Sequence, residues 1–144
     1  MQIELQSIYT FNQLGQRDNQ EDARYPDIDN PDPATAIPAF AVCDGVGGCE
    51  KGEVASTTVA KSIGEQLKNM KQGDQFTIDD LRELLQGSYE ALDKASRPSN
   101  RGMATTLTLV VFHSEGCMAA HIGDSRIYQI RPGEGIVYRS EDHS

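Results

Sequence analysis

The chain has 144 residues, enough for one domain or most of one. Its residues are 38% hydrophobic with a formal charge of -9 at pH 7, and its mean hydropathy is -0.51 with a pI of about 4.7. That acidity excludes nucleic acid and anionic membrane as main partners, and no apolar run approaches the roughly 20 residues that span a bilayer.

No basic, apolar leader opens the chain. The three cysteines, Cys43, Cys49 and Cys117, cannot all pair and form no Cys-x-x-Cys. The expectation is a cytoplasmic protein with free thiols and no structural zinc. Ile3, Leu5, Ser7 and Tyr9 alternate with more polar neighbours and predict an opening strand. Arg17-Asp18-Asn19-Gln20-Glu21-Asp22 follows, an arginine ahead of paired carboxylates, which by itself describes a solvated turn with surface ion pairs. Residues 27–38, rich in proline and aspartate, predict a loop. The apolar run 37–43 reads as a buried strand that leads directly into Asp44-Gly45-Val46-Gly47-Gly48.

Residues 53–70 carry Val59, Ile63, Leu67 and Met70 at helical spacing, the core stripe of a first helix. Thr77-Ile78-Asp79-Asp80 is a capping-type start for a second, with Ile78, Leu81, Leu85, Tyr89 and Leu92 as its stripe. Residues 98–102 break the pattern. Three β-rich runs follow, 105–113, 117–122 and 127–130, with a short strand at 136–138. His121-Ile122-Gly123-Asp124-Ser125-Arg126 sets an acidic turn between two of these runs. Two helices inside a strand-rich chain predict an α+β layered fold. No internal repeat or low-complexity segment is present.

The stretch from Asp44 to Gly48 carries the most chemistry. A carboxylate at a strand's end, followed by glycines that leave the backbone bare, can hold a hard divalent cation through oxygen atoms. The same five residues also suit a plain Asp-Gly turn. Two nucleotide-binding motifs are excluded. A dinucleotide fingerprint needs a third glycine where Glu50 stands, and a P-loop needs Gly-Lys-Ser/Thr where Lys51-Gly52-Glu53 stands. Acidic groups also recur at the other turns, and clustered carboxylates require cations or arginines to compensate them.

Taken together these motifs resemble the metal-dependent serine/threonine phosphatases of the PPM (PP2C) family, in particular the bacterial type. Arg17, Glu21 and Asp22 match the family's Arg-x-x-x-Glu-Asp element. Asp44-Gly45-Val46-Gly47-Gly48 with Gly52-Glu53-Val54-Ala55-Ser56 matches its Asp-Gly-x-Gly-Gly…Gly-Glu-x-Ala-Ser signature. Met103-Ala104-Thr105-Thr106 resembles the Gly-Thr-Thr element with Ala104 for glycine. Gly123-Asp124-Ser125-Arg126 and Asp142-His143-Ser144 match outright, while Cys49 stands where many relatives carry histidine.

The resemblance implies a layered αββα fold, an antiparallel β-sandwich flanked by helices with a metal site at one edge. It also implies that residues 1–144 are the N-terminal portion of one PPM domain, since family members continue to two further metal-binding aspartates that match nothing here. One or both sheets would then be incomplete, leaving strand edges free for self-association. By the same resemblance Asp44 bridges two Mn²⁺ or Mg²⁺ ions, the Gly45 carbonyl binds one of them, and Glu21 and Asp22 hold their waters. Arg17 meets the phosphate. Asp124 serves an additional, weaker metal position, with a β-turn aspartate as the alternative. The implied reaction is hydrolysis of phosphoserine and phosphothreonine in proteins modified by a Ser/Thr kinase, with this chain alone inactive. A pseudophosphatase or half-domain that binds phosphoproteins without turnover is the other reading. Of the remaining residues, His121 reads as a packed or hydrogen-bonded histidine, His113 as solvent-facing and His143 as frayed. Cys43 and Cys117 read as small core residues, and Cys49 as a thiol near the metal edge.

Overall fold

The computed structural model of the chain describes residues 6–27, 38–46, 51–70, 75–98 and 102–143. Among these residues, six strands and two helices run in the order β1 (Asp22–Tyr25), β2 (Ala39–Asp44), α1 (Gly52–Asn69), α2 (Ile78–Ser96), β3 (Leu107–His113), β4 (Gly116–Ile122), β5 (Tyr128–Arg131) and β6 (Gly135–Arg139). The first four strands form an antiparallel sheet in the order β1-β2-β3-β4, and β5 and β6 form a separate two-stranded sheet. This is the α+β arrangement that the pattern of runs predicts.

Side chains alternate across a strand, so each strand has one face to bury. On the covered face lie Ala39, Ala41 and Cys43 of β2 and Leu107, Leu109 and Val111 of β3, all buried. They join Val59, Ala60, Ile63 and Leu67 of α1 in one core with Phe76, Leu81 and Leu84. The stripe predicted for α1 is therefore the observed one, and Met70 packs against its end. α1 lies against β1 and β2, and α2 packs on α1.

The second helix starts as its sequence indicates. The Thr77 hydroxyl accepts from the Asp80 amide and the Asp80 carboxylate accepts from the Thr77 amide, a reciprocal capping box. Leu81, Leu85 and Leu92 of the predicted stripe pack in or against the core, but the stripe's other two positions do not. Ile78 and Tyr89 are 54% and 65% exposed, whereas Leu84 and Ser88 are buried. The cause is a polar seam between the helices. The Gln66 amide of α1 reaches the Leu84 carbonyl and the Ser88 hydroxyl at 3.1 and 3.2 Å, turning that side of α2 inward. Apolar periodicity does not register a buried glutamine–serine contact.

Further readings need correction. Residues 6–9 form no strand, and Ile3 and Leu5 lie outside the described residues; among the described residues β1 is the first strand of the sheet. Cys117 is exposed, because it sits on the opposite face of β4 from Met118 and Ala120, which pack on the core. His143 is held: its amide donates to the Gly123 carbonyl at 2.9 Å and its ring meets His121 edge-on at 4.5 Å. That contact makes His121 the packed histidine expected. His113 is half-buried and accepts the Glu115 amide at Nδ1. Gly47, Gly48, Cys49 and Ser144, the 28–37 part of the predicted loop and residues 99–101 lie outside the described residues.

The sheet face away from α1 is partly open. Val42 on it is 49% exposed, and Phe40 and Phe112 meet edge-on at 6.1 Å. The β5–β6 hairpin packs on no other named element among the described residues.

Candidate functional site

Antiparallel pairing decides where the acidic motifs meet. The start of β1, the end of β2, the start of β3 and the end of β4 all fall at one end of the sheet. The register pairs Asp22 with Asp44 and Leu107 with Ile122 there. The Arg17–Asp22 segment, the loop after Asp44, the Thr105-Thr106 pair and the Gly123–Arg126 turn consequently gather along one edge.

Asp44 is the half-buried centre of this edge. Burial raises its carboxyl above the usual carboxylate range, and Asp22, through charge and a side-chain hydrogen bond, and then Asp124 push it the same way. Arg17 opposes them without prevailing. Asp22 and Asp124 thus both bear on the Asp44 carboxyl. Among the described residues, however, no group of three or more His, Cys, Asp or Glu side chains forms a complete ligand set. What is in place is the Asp22–Asp44 pair, with Asp124 near enough to act on it through charge.

Two features of the edge fit a divalent cation with its waters. Glu21 Oε2 is buried without a hydrogen-bond partner. Its nearest charge, Arg17 Nη1, stands 3.7 Å away, within ion-pair range but beyond a hydrogen bond. A buried carboxylate oxygen left unpaired is costly, and a water on an adjacent cation would satisfy it. The second feature is the backbone around Gly45. A Cβ built there would collide with the Gly52 carbonyl, so only glycine lets the loop press against the start of α1. The approach is held by the Gly45 amide donating to the Glu21 carbonyl at 2.9 Å and the Val46 amide to the Ala104 carbonyl at 3.0 Å. A Cβ on Gly52 would lie 3.4 Å from Glu21 Cδ, so the Glu21 carboxylate rests at the positive end of the helix.

The other named residues are less constrained. The Arg17 side chain is 71% exposed on a loop, and Asp124 is exposed on its turn. Cys43 lies one residue before Asp44, but burial pushes its thiol up to about 12, which leaves it an inert core group.

Three further residues, Arg126, Asp142 and Thr106, hold the edge together. Arg126 grips Asp142 with two parallel hydrogen bonds of 2.9 and 2.8 Å, holding that carboxyl below its usual range and fastening the Asp124 turn. The Thr106 hydroxyl accepts the Asp44 amide at 3.0 Å and lies 2.7 Å from the Ser125 hydroxyl. Arg126, Asp142 and Thr106 all stand in motifs already visible in the sequence. The signal was the motif itself, and their partners follow only from the fold.

The sequence profile of the protein phosphatase 2C family matches residues 27–144. Over 95 residues the chain is 36% identical to the serine/threonine protein phosphatase PstP of Mycobacterium tuberculosis, covering 66% of this chain and 18% of that protein. It is 31% identical over 108 residues to the protein phosphatase PhpP of Streptococcus pneumoniae, covering 72% of this chain and 42% of that one. The crystal structure of the M. tuberculosis phosphatase PstP/Ppp superposes with a TM-score of 0.66 at 30% identity, over 88% of this chain and 49% of that chain. The PPM Ser-Thr phosphatase MsPP of Mycobacterium smegmatis, in complex with cacodylate, gives a TM-score of 0.63 at 26% identity, over 85% and 47%. The chain spans about half the length of these solved relatives and less of the two sequence relatives.

Proposed function

Because the chain belongs to the protein phosphatase 2C family, we propose that it forms the N-terminal portion, residues 1–144, of a domain that hydrolyses phosphoserine and phosphothreonine in proteins. The observation that carries this reading is the Asp44 carboxyl, raised by burial and by Asp22 and Asp124 at one sheet edge, beside the orphaned Glu21 oxygen. Bound Mn²⁺ or Mg²⁺ in pairs would supply a water of lowered pKa and positive charge against the phosphate.

The residues of the chain have distinct tasks in this scheme. Asp44 would offer its carboxylate to both ions of the pair, and the Gly45 carbonyl would bind one of them. Glu21 and Asp22 would accept hydrogen bonds from the surrounding waters and fix their orientation. Asp124 would serve a further, weaker cation position. Arg17, largely exposed to solvent, would pair with phosphate oxygens. Tetrahedral oxyanions suit such a site, and cacodylate, with which the M. smegmatis relative was crystallised, is one.

We assign the chain by itself no turnover. The incomplete ligand set among the described residues favours, for this piece alone, the second reading of a half-domain that binds phosphoproteins or a partner without hydrolysis. Self-association would run through free strand edges, which among the described residues are those of β1 and β4 in the four-stranded sheet. Substrates would be proteins phosphorylated by a Ser/Thr kinase in the cytoplasm, with no role for nucleic acid or membrane. No described helix is long and apolar enough to cross a bilayer.

The test is hydrolysis of phosphoserine and phosphothreonine peptides by the protein that contains this chain. Mn²⁺ should support turnover and chelator should abolish it; full activity in excess EDTA would refute the metal reading.

A further inference from the structure

Thr106 touches both halves of the acidic edge. Its amide donates to the Asp44 carbonyl at 2.8 Å and its hydroxyl accepts the Asp44 amide at 3.0 Å, so it clamps that residue's backbone from both sides. The same hydroxyl lies 2.7 Å from the Ser125 hydroxyl, where either group can be the donor. A hydroxyl has one proton and two lone pairs, so accepting the Asp44 amide leaves it free to bond Ser125 in either sense. Its methyl is engaged as well. Gly123 has φ +100, and a Cβ there would lie 2.7 Å from Thr106 Cγ2, so the turn bearing Asp124 sits directly on this side chain.

Its neighbours do not share the task. The Thr105 hydroxyl is engaged locally with the Thr106 carbonyl at 3.0 Å, and the Thr108 hydroxyl bonds the Val42 carbonyl further down β2. Only Thr106, among the described threonines of this segment, bridges the end of β2 to the turn after β4.

We infer that Thr106 is a positioning residue whose hydroxyl, through Ser125, fixes the Asp44 backbone relative to the Asp124 turn. The inference rests on the reading of Asp44 and Asp124 as cation-holding groups. Carboxylates that hold neighbouring cation positions, one at a strand end and one on a turn, keep those positions in register only if their own spacing is kept. Errors near 1 Å matter at such sites, costing roughly a hundredfold in rate. A bond relay through two short hydroxyl side chains keeps that spacing at little entropic cost, since serine and threonine have few rotamers to lose.

The test has a metal-free arm and a metal arm on the 144-residue chain and its Thr106→Val, Thr106→Ser, Ser125→Ala and Thr106→Val/Ser125→Ala variants. In EDTA, amide exchange at Asp44 should rise roughly tenfold in Thr106→Val, the size of one lost hydrogen bond. It should rise by less in Ser125→Ala and stay near wild type in Thr106→Ser, which keeps the hydroxyl. Exchange at Leu109, deep in the core, should not change in any of them. With Mn²⁺ added, paramagnetic broadening should reach both Asp44 and Asp124 in the wild type, but weaken at Asp124 in Thr106→Val and Ser125→Ala. The double variant should be no worse than Thr106→Val alone, because both substitutions cut the same relay.

Unchanged exchange and broadening in Thr106→Val would overturn the inference, as would additive effects in the double variant. Should Thr106→Val fail to fold, Ser125→Ala decides: wild-type exchange at Asp44 and broadening at Asp124 overturn the relay. A wild-type chain that binds no Mn²⁺ would sink the functional reading instead, and the exchange arm then decides the hydroxyl link by itself.

Discussion

Neutralising Asp44 should have opposite effects on the metal-free and the metal-loaded chain. Asp22 and Asp44 are direct cross-strand partners, and like charges placed opposite each other on a sheet destabilise it by roughly 0.2–1 kcal/mol. Asp44→Asn removes one of the two charges and supplies an amide donor toward Asp22, so in EDTA the variant should melt higher, by about 1–4 °C for a chain of this size. The pH dependence has a fixed sign. The folded-state carboxyl of Asp44 is raised by burial first and by Asp22 and Asp124 next. The stability it contributes is therefore fully present below the ordinary carboxylate value and is lost as pH rises through the raised one. Asparagine suffers no such loss, so the gap between variant and wild type should open across that window and stay constant above it. Adding Mn²⁺ should reverse the order, because only the wild type gains binding energy by mass action. Denaturant unfolding across a pH series, with EDTA and then with Mn²⁺, measures all of this. A wild type more stable than Asp44→Asn at neutral pH in EDTA would refute the electrostatic reasoning.

Other expectations test separate parts of the structure. Leu109→Ala empties a fully buried position between β2 and β4 and should cost about 2–5 kcal/mol in denaturant unfolding. Thr77→Ala removes the capping box of α2 and should cost roughly 0.5–2 kcal/mol without altering Mn²⁺ binding by calorimetry. Under iodoacetamide, peptide mapping should find Cys117 alkylated and Cys43 untouched, since burial pushes the latter's thiol up to about 12. In the protein containing this chain, Asp44→Asn should lower turnover by several orders of magnitude. Arg17→Ala should cost roughly 1.5–3 kcal/mol in kcat/KM, the range of a charge-assisted hydrogen bond.

Much of this architecture is legible in the residues. The Val59–Ile63–Leu67 stripe, the Thr77–Asp80 cap and the β-rich runs after residue 105 each carry a local signal strong enough to survive folding. Two kinds of information were not legible. One is non-local pairing: Ser7 and Tyr9 carry strand alternation yet form no strand, while β1 at Asp22–Tyr25, which shows little, finds β2 as its partner. The other is polar contact between elements. Gln66 with Ser88, Arg126 with Asp142, and Thr106 with Ser125 all depend on the register of distant segments. Cys117 illustrates the same limit, because its face on β4 is set by which side chains of the neighbouring β3 face the core. For the site, Asp44, Asp22, Glu21 and Gly45 stood out as types at strand ends. Their convergence follows from the antiparallel register, and the distance of Arg17 from Glu21 could not be read in advance.

The central claim is that Asp44 anchors a divalent cation site at the sheet edge. Titration calorimetry of Mn²⁺ into the 144-residue chain, beside its Asp44→Asn variant, tests it most directly. The account predicts weak binding of at most one equivalent in the wild type and none in the variant. Superimposable isotherms, or two tightly bound ions in either chain, would contradict it.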